Sequence, residues 1–243
     1  MSLLLYGVLN SATPQLGELQ GVNEEVVRVI AHGDVGVVVS DYAGEEIAPR
    51  RRNLAAFQTV VTRLATSHQM LPIAFGMLAA DESAVRGILE RNHDLLRNEL
   101  ERIGSQQEYS LRLSWSGENV FAWFVERFAD LRQLRDQFFA NGRLPSYDQR
   151  IQLGQVFEDL LGQERARIRA QILAVLSPCV SEWREQPYPA ENVLASLALL
   201  VPREQLARFD QAIDLLAEDY DDQHLIELQG PWPPYSFANL RLQ

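Results

Sequence analysis

Histidine, cysteine and the acidic side chains are where catalysis or metal binding would have to start in this chain. Its four histidines are His32, His68, His93 and His224, and none has a second histidine or a cysteine at the spacing a bound metal requires. The single cysteine, Cys179, follows Pro178 at the expected end of a helix. No histidine lies near it in sequence to draw off its proton, so it reads as a small packed thiol. One cysteine also excludes an internal disulfide and any cluster built on several thiolates. The trace HGDVG, residues 32–36, lies between two β-branched runs and lacks the strand-to-helix setting of a nucleotide loop. No G-x-S-x-G elbow occurs. All 22 basic residues are arginine, which removes Schiff-base and phosphate-loop lysines. The chain reads as a non-enzyme, with no catalytic residues, no metal and no cofactor.

Two charged runs remain. Glu218, Asp219, Asp221 and Asp222 could hold a cation, but they lack the order and the glycine of a calcium loop and read as a solvated helix end. Arg50, Arg51 and Arg52 stand where a helix should start, the end at which positive charge is misplaced. They are either a solvated corner after Pro49 or a contact for an acidic partner. The net charge of -11 offers none of the basic footprint that nucleic acid demands and disfavours anionic lipid. The leader MSLLLYGVLN has no basic start and too short an apolar run for a signal peptide. No apolar stretch approaches the length of about 18 residues that spans a membrane, so the chain reads as cytosolic.

The most unusual stretch is GPWPPYSF, residues 230–237. Pro231, Pro233 and Pro234 fix φ and favour an extended path, and Trp232, Tyr235 and Phe237 are spaced along it. Such a segment loses little entropy on docking. It is either an internal strap over the core or an aromatic anchor for another protein.

The elements that would position these residues follow from periodicity. LLLYGVL (3–9) is a buried strand, and VVRVIAH (26–32) and VGVVVSDY (35–42) form a hairpin across Gly33-Asp34. A helix covers 50–67, a short strand LPIAFG (71–76), and Asp81 caps a helix to Ile103, stopped by Gly104. YSLRLSW (109–115) alternates as a half-buried strand. One helix covers about 118–141, and a capping box at Ser146 and Gln149 opens another to Leu176, with Gly154 and Gly162 available for a bend or a close neighbour. SEWREQ (181–186) and NVLASLALLV (192–201) are paired strands, although alanine and leucine also suit helix. Pro202 opens a helix carrying Leu206, Phe209, Ile213 and Leu216, and HLIELQG (224–230) closes as a strand. Without the 118–141 helix, the second half runs strand, helix, strand, strand, helix, strand, the ferredoxin-like order. The expected fold is α+β in two domains. Residues 1–105 form a mixed α+β domain, and 106–243 a ferredoxin-like domain with a helical insertion and the aromatic, proline-rich strap.

LYGV (5–8), LPIAFG (71–76), EYSLRL (108–113), ASLALLVPREQLARF (195–209) and above all GPWPPYSF occur in the order and context of one known family. On these motifs, which span nearly the whole chain, the sequence resembles the gas vesicle protein F/L family. Met77 departs from the pattern, since a small polar residue is expected after Gly76. The resemblance implies a minor protein of gas vesicle formation. It would associate with the very hydrophobic major shell protein and other accessory proteins, limit shell-protein aggregation during nucleation, and reside at the gas vesicle. It carries over no catalytic residues. The amphipathic helices 118–140 and 147–176 are further candidates for an apolar contact surface. The competing reading is a ferredoxin-like ligand-sensing module, which requires a pocket with a few convergent polar groups.

Overall fold

The computed structural model describes residues 2–10, 16–117, 119–140 and 144–239. The chain packs into two units. The first comprises residues 1–109, 200–204 and 230–243, and the second 110–199 and 205–229.

The first unit is built on β1 (Ser2–Asn10), which is buried from Leu3 through Leu9. It pairs antiparallel with β3 (Val35–Tyr42) on one side and with β4 (Met70–Pro72) and β5 (Leu78–Ala79) on the other. The hairpin partner β2 (Arg28–His32) completes the order β2-β3-β1-β4. Gly33 turns the hairpin at φ +61°, a conformation glycine adopts without a Cβ penalty. A register shift between Leu5 and Gly7 inserts a bulge into β1, and a bulge reverses the inside-outside parity of a strand. Leu4, Tyr6 and Leu9 therefore share one core cluster with α1 (Arg51–Ser67), through Phe57, Val60, Val61 and Leu64. Leu5 and Val8 instead line a cavity together with Val85, Ile88 and Leu96 of α2 (Glu82–Ile103). A Cβ at Gly7 would lie 2.7 Å from the Leu71 carbonyl and collide with the Met70 side chain, so β4 can approach here only because position 7 is glycine.

Tyr6 is fully buried, and its hydroxyl accepts from the Val22 amide at 3.0 Å and bonds the Ser40 hydroxyl at 3.0 Å. Tyr6→Phe leaves that amide without a partner. We expect a loss of about 1–3 kcal/mol, read as a lower urea midpoint with an unchanged slope.

The second sheet comprises β6 (Gln106–Trp115), β7 (Glu182–Glu185), β8 (Val193–Pro202) and β9 (His224–Trp232) in the order β7-β8-β6-β9, and the second unit holds residues 110–115, 182–185, 193–199 and 224–229 of it. With α5 (Tyr147–Leu176) after β6 and α6 (Leu206–Glu218) after β8, this is the ferredoxin-like arrangement. Every residue from Val193 through Val201 is buried. An inner strand covered on both faces has no reason to alternate, which is why its alanines and leucines also resemble a helix. The Ser146 hydroxyl and the Gln149 side chain cap α5 reciprocally.

Three expectations are corrected. The single helix over 118–141 is two helices, α3 (Val120–Arg127) and α4 (Ala129–Phe138), broken where Phe128 is extended. The break is held by Arg132, which donates through Nε to the Val125 carbonyl at 3.0 Å and through Nη2 to the Glu126 carbonyl, capping α3 from the next helix. The expected stop at Asn141-Gly142 lies outside the described residues. Pro202 ends β8 instead of opening a helix, and α6 begins at Leu206 after a turn of 3-10 helix. A Cβ at Gly154 or Gly162 would meet nothing within 4 Å, so neither glycine admits a neighbour.

Candidate functional site

The GPWPPYSF segment divides by residue. Gly230, Pro231 and Trp232 belong to β9, and from Pro233 the chain turns, with the Pro234 carbonyl accepting from the Phe237 amide at 3.2 Å and the Ala238 amide at 3.1 Å. The expected extended path is thus limited to its first residues. Proline pre-sets φ for such turns as readily as for an extended chain.

Pro233, Pro234 and Phe237 are buried, Phe237 fully. Trp232 remains 42% exposed and Tyr235 37%. Within the first unit the turn is held by polar bonds on both sides. Ser236 donates from its amide to Glu108 Oε2 at 2.8 Å and from its hydroxyl to Oε1 at 2.5 Å. Arg102 bonds Glu99 through Nε at 3.0 Å and Nη2 at 2.9 Å, and its Nη2 also donates to the Phe237 carbonyl at 2.9 Å. Position alone could not reveal these partners, because Glu108 and Ser236 lie 128 residues apart.

Three clefts of the first unit border the two exposed aromatics. Tyr235 closes one side of a cleft of about 680 Å³ lined by Pro49, Arg51, Leu54, Phe57 and Phe75. It also lines the apolar cavity of about 330 Å³ under α2, with Leu5, Ile73 and Met77. Trp232, with Pro231 and Pro233, borders a smaller one of about 30 Å³ against Thr62, Ala65 and Thr66 of α1. The arginine run and the aromatic tail therefore meet, since Arg51 and Tyr235 face one cleft.

Arg50, Arg51 and Arg52 are exposed, Arg50 offers no side-chain cap to α1, and none of the three has an ion-pair partner among the described residues. Met77, the residue that departs from the motif, is exposed as well, while its carbonyl accepts from the Leu5 amide at 3.0 Å. The arrangement is an aromatic and apolar face flanked by uncompensated positive charge, suited to holding a polypeptide. Among the described residues no group of three or more histidine, cysteine or acidic side chains is placed to hold a metal. Among the described residues no helix is long and apolar enough to cross a membrane.

The comparison with known proteins decides the family. The model of the gas vesicle synthesis protein GvpL/GvpF family matches residues 2–239. The chain belongs to that family. It is 30% identical to gas vesicle protein F of Streptomyces sp. (strain CB03234), over 98% of this chain and 100% of that one. It is 29% identical to gas vesicle protein L of the same organism, over 90% of this chain and 86% of that one. Among solved structures, the crystal structure of gas vesicle protein GvpF from Anabaena sp. PCC7120 superposes with a TM-score of 0.85 at 25% identity, covering 98% of each chain. This GvpL/GvpF chain is thus a gas-vesicle-associated minor protein of α+β fold.

Burial pushes the Tyr235 phenol up to about 12, although one edge of the ring is open. Tyr188 is also pushed up to about 12, by burial first and then by its bond to Glu185 at 2.5 Å. A phenol whose folded value exceeds its unfolded one stabilises the fold fully below the ordinary value of 10.0 and ceases to do so as the pH rises through about 12. Stability should fall across that window, and the double variant Tyr188→Phe/Tyr235→Phe should fall less steeply. Denaturant midpoints measured through the window check this.

Proposed function

We propose that this protein acts in gas vesicle assembly by binding the major shell protein. The contact is the face of the first unit around Trp232, Tyr235 and Arg51, and binding limits aggregation of the shell protein during nucleation. The role is non-catalytic, and the site of action is the gas vesicle and the cytoplasm before incorporation. The reading rests on family membership together with one observation. Tyr235 stays exposed beside an apolar cleft and Trp232 beside a small one lined also by Thr62, Thr66, Gln106 and Gln107, while Phe237, two residues beyond Tyr235, is fully buried. Tryptophan and tyrosine left at the rim of desolvated pockets are the residues that concentrate binding energy in protein interfaces. A very hydrophobic shell subunit needs complementary apolar surface on its carrier.

Capture of the major shell protein by the native chain and by Trp232→Ala/Tyr235→Ala tests the proposal. The native chain should capture it. The double variant, with an unchanged circular dichroism spectrum, should bind at least about thirtyfold more weakly, the roughly 2 kcal/mol of one hot-spot residue. Equal capture by a folded double variant removes this face from the interaction. No capture by the native chain removes the shell protein as its direct partner.

A further inference from the structure

A second cavity lies wholly within the ferredoxin-like unit and plays no part in the shell-binding reading. Its volume is about 590 Å³, within the range of small-molecule sites. It is walled by α3, α5, the end of α6 and the turn leading into β9.

At its floor stands Glu164, only 5% exposed. The buried positions of α5 are Leu153, Phe157, Leu161, Glu164, Ile168, Ile172 and Leu176, so a carboxylate occupies a place on an otherwise apolar stripe. An aliphatic residue there would spare the desolvation cost of a buried charge. The carboxylate instead gathers two guanidinium groups. Arg167 binds it in fork geometry, Nε to Oε2 at 2.8 Å and Nη2 to Oε1 at 2.7 Å, and Arg127 Nη2 stands 3.5 Å from Oε1. Arg167 lowers the Glu164 carboxyl below its ordinary range, chiefly through those hydrogen bonds, so the charged form is the one held. Two cations and one anion leave these three side chains with one net positive charge at this end of the cavity, although Asp219 and Asp221 make the guanidinium and carboxylate groups of the whole lining two against three.

Arg127 lies with its guanidinium carbon 5.4 Å from the centre of the Trp123 ring. Its other nitrogens, like the Tyr220 hydroxyl, have no hydrogen-bond partner among the described residues. Burial raises the Tyr220 phenol, which keeps it a donor. Trp123, Tyr220 and His224 supply flat walls, with His224 centred 6.0 Å from Trp123 and 5.3 Å from Tyr220. Asp219 and Asp221 also line the cavity, and Asp221 is engaged by His224 Nδ1 at 2.6 Å. Those acids disfavour a polyanion.

We infer that this cavity binds a small organic monoanion, a carboxylate on a flat ring. Its oxygens take the open donors of Arg127 and Tyr220, and its body lies against Trp123. Glu164 is a positioning residue, aligning the arginines without touching the ligand.

Calorimetric titration of the full chain with four probes of one ring size tests this: benzoate, phenyl phosphate, phenylalanine and benzylamine. Benzoate should bind and benzylamine should not. Phenyl phosphate, largely a dianion near neutral pH, should bind more weakly than benzoate because Asp219 and Asp221 face the same cavity. Tighter binding of phenylalanine also supports the site, with its ammonium group beside Asp219. Arg127→Gln should weaken binding about tenfold or more, the worth of a charge-assisted hydrogen bond, while Arg150→Gln, at the start of α5, should leave it unchanged. A Tyr220→Phe variant, which removes one donor and no charge, should weaken it less than Arg127→Gln. Equal binding of benzylamine, no binding of any anion, or an Arg127→Gln variant that folds and binds like the native chain overturns the inference. Capture of the shell protein is read separately, so failure here leaves the assembly role standing.

Discussion

Phe237→Ala lowers the free energy of unfolding by about 3–5 kcal/mol. The ring is fully buried, and its removal opens a cavity beside the turn that Glu108 and Arg102 hold. Those polar bonds resist collapse of the turn, so little of the lost packing is recovered. The neighbouring Trp232→Ala should cost no more than roughly 1 kcal/mol, as substitutions at partly exposed positions usually do. Urea midpoints for the two variants, at constant slope, separate a residue that anchors the segment from one that the segment displays. A Phe237→Ala variant as stable as the native chain would mean the tail contributes nothing to the first unit.

Arg203→Ala is the second large effect. Its guanidinium donates through Nη1 to the Thr66 carbonyl at 3.0 Å and through Nη2 to the carbonyls of Ala65 and of His68, the last at 3.3 Å. These are the orphan acceptors at the C-terminus of α1, a helix with no basic residue in its own last turn. At its other end α1 begins with arginines, the wrong charge for that pole of the dipole. Arg203 is therefore the cation that α1 lacks, supplied from the far end of β8. We expect a loss of roughly 1.5–3 kcal/mol, the range for hydrogen bonds to a charged group. Arg203→Lys should recover only part of it, because an ammonium group cannot reach three carbonyls with the geometry of a planar fork. Thermal unfolding of both variants gives the comparison.

Much of the fold is legible in the sequence where one element dictates its own pattern. The hairpin across Gly33, the Asp81 cap, which accepts from the Ala84 amide at 2.8 Å, and the capping box of α5 all rest on neighbours in the chain. The failures are places where something other than an element's own periodicity decides. Phe128 interrupts a helical stripe because Arg132 offers the freed carbonyls a partner, and the Val193–Val201 strand has no alternation because both its faces are covered. The bulge after Leu5, which puts Leu9 on the face of Leu4 and Tyr6 and Val8 on the face of Leu5, leaves no trace in a run of apolar residues.

The candidate site was legible by residue type but not by arrangement. The tail and the arginine run are conspicuous as sequence, whereas their meeting at one cleft, 184 positions apart between Arg51 and Tyr235, is a product of folding. Of the cavity of the second unit, only Asp219, Asp221 and His224 stand out as sequence, and nothing there joins them to Arg127 and Glu164. One further signal was available: Glu164 falls in step with Leu161 and Ile168 on the buried stripe of α5, and a carboxylate in a core position calls for partners.

The measurement that tests the central claim most directly is amide hydrogen exchange of the native chain with and without the major shell protein. The account predicts added protection on the first unit, at residues 51–58 and 62–66 of α1 and across Trp232–Ser236, with α3 and α4 unchanged. Protection confined to α3, α4 or the outer face of α5, or no change anywhere at saturating shell protein, contradicts it.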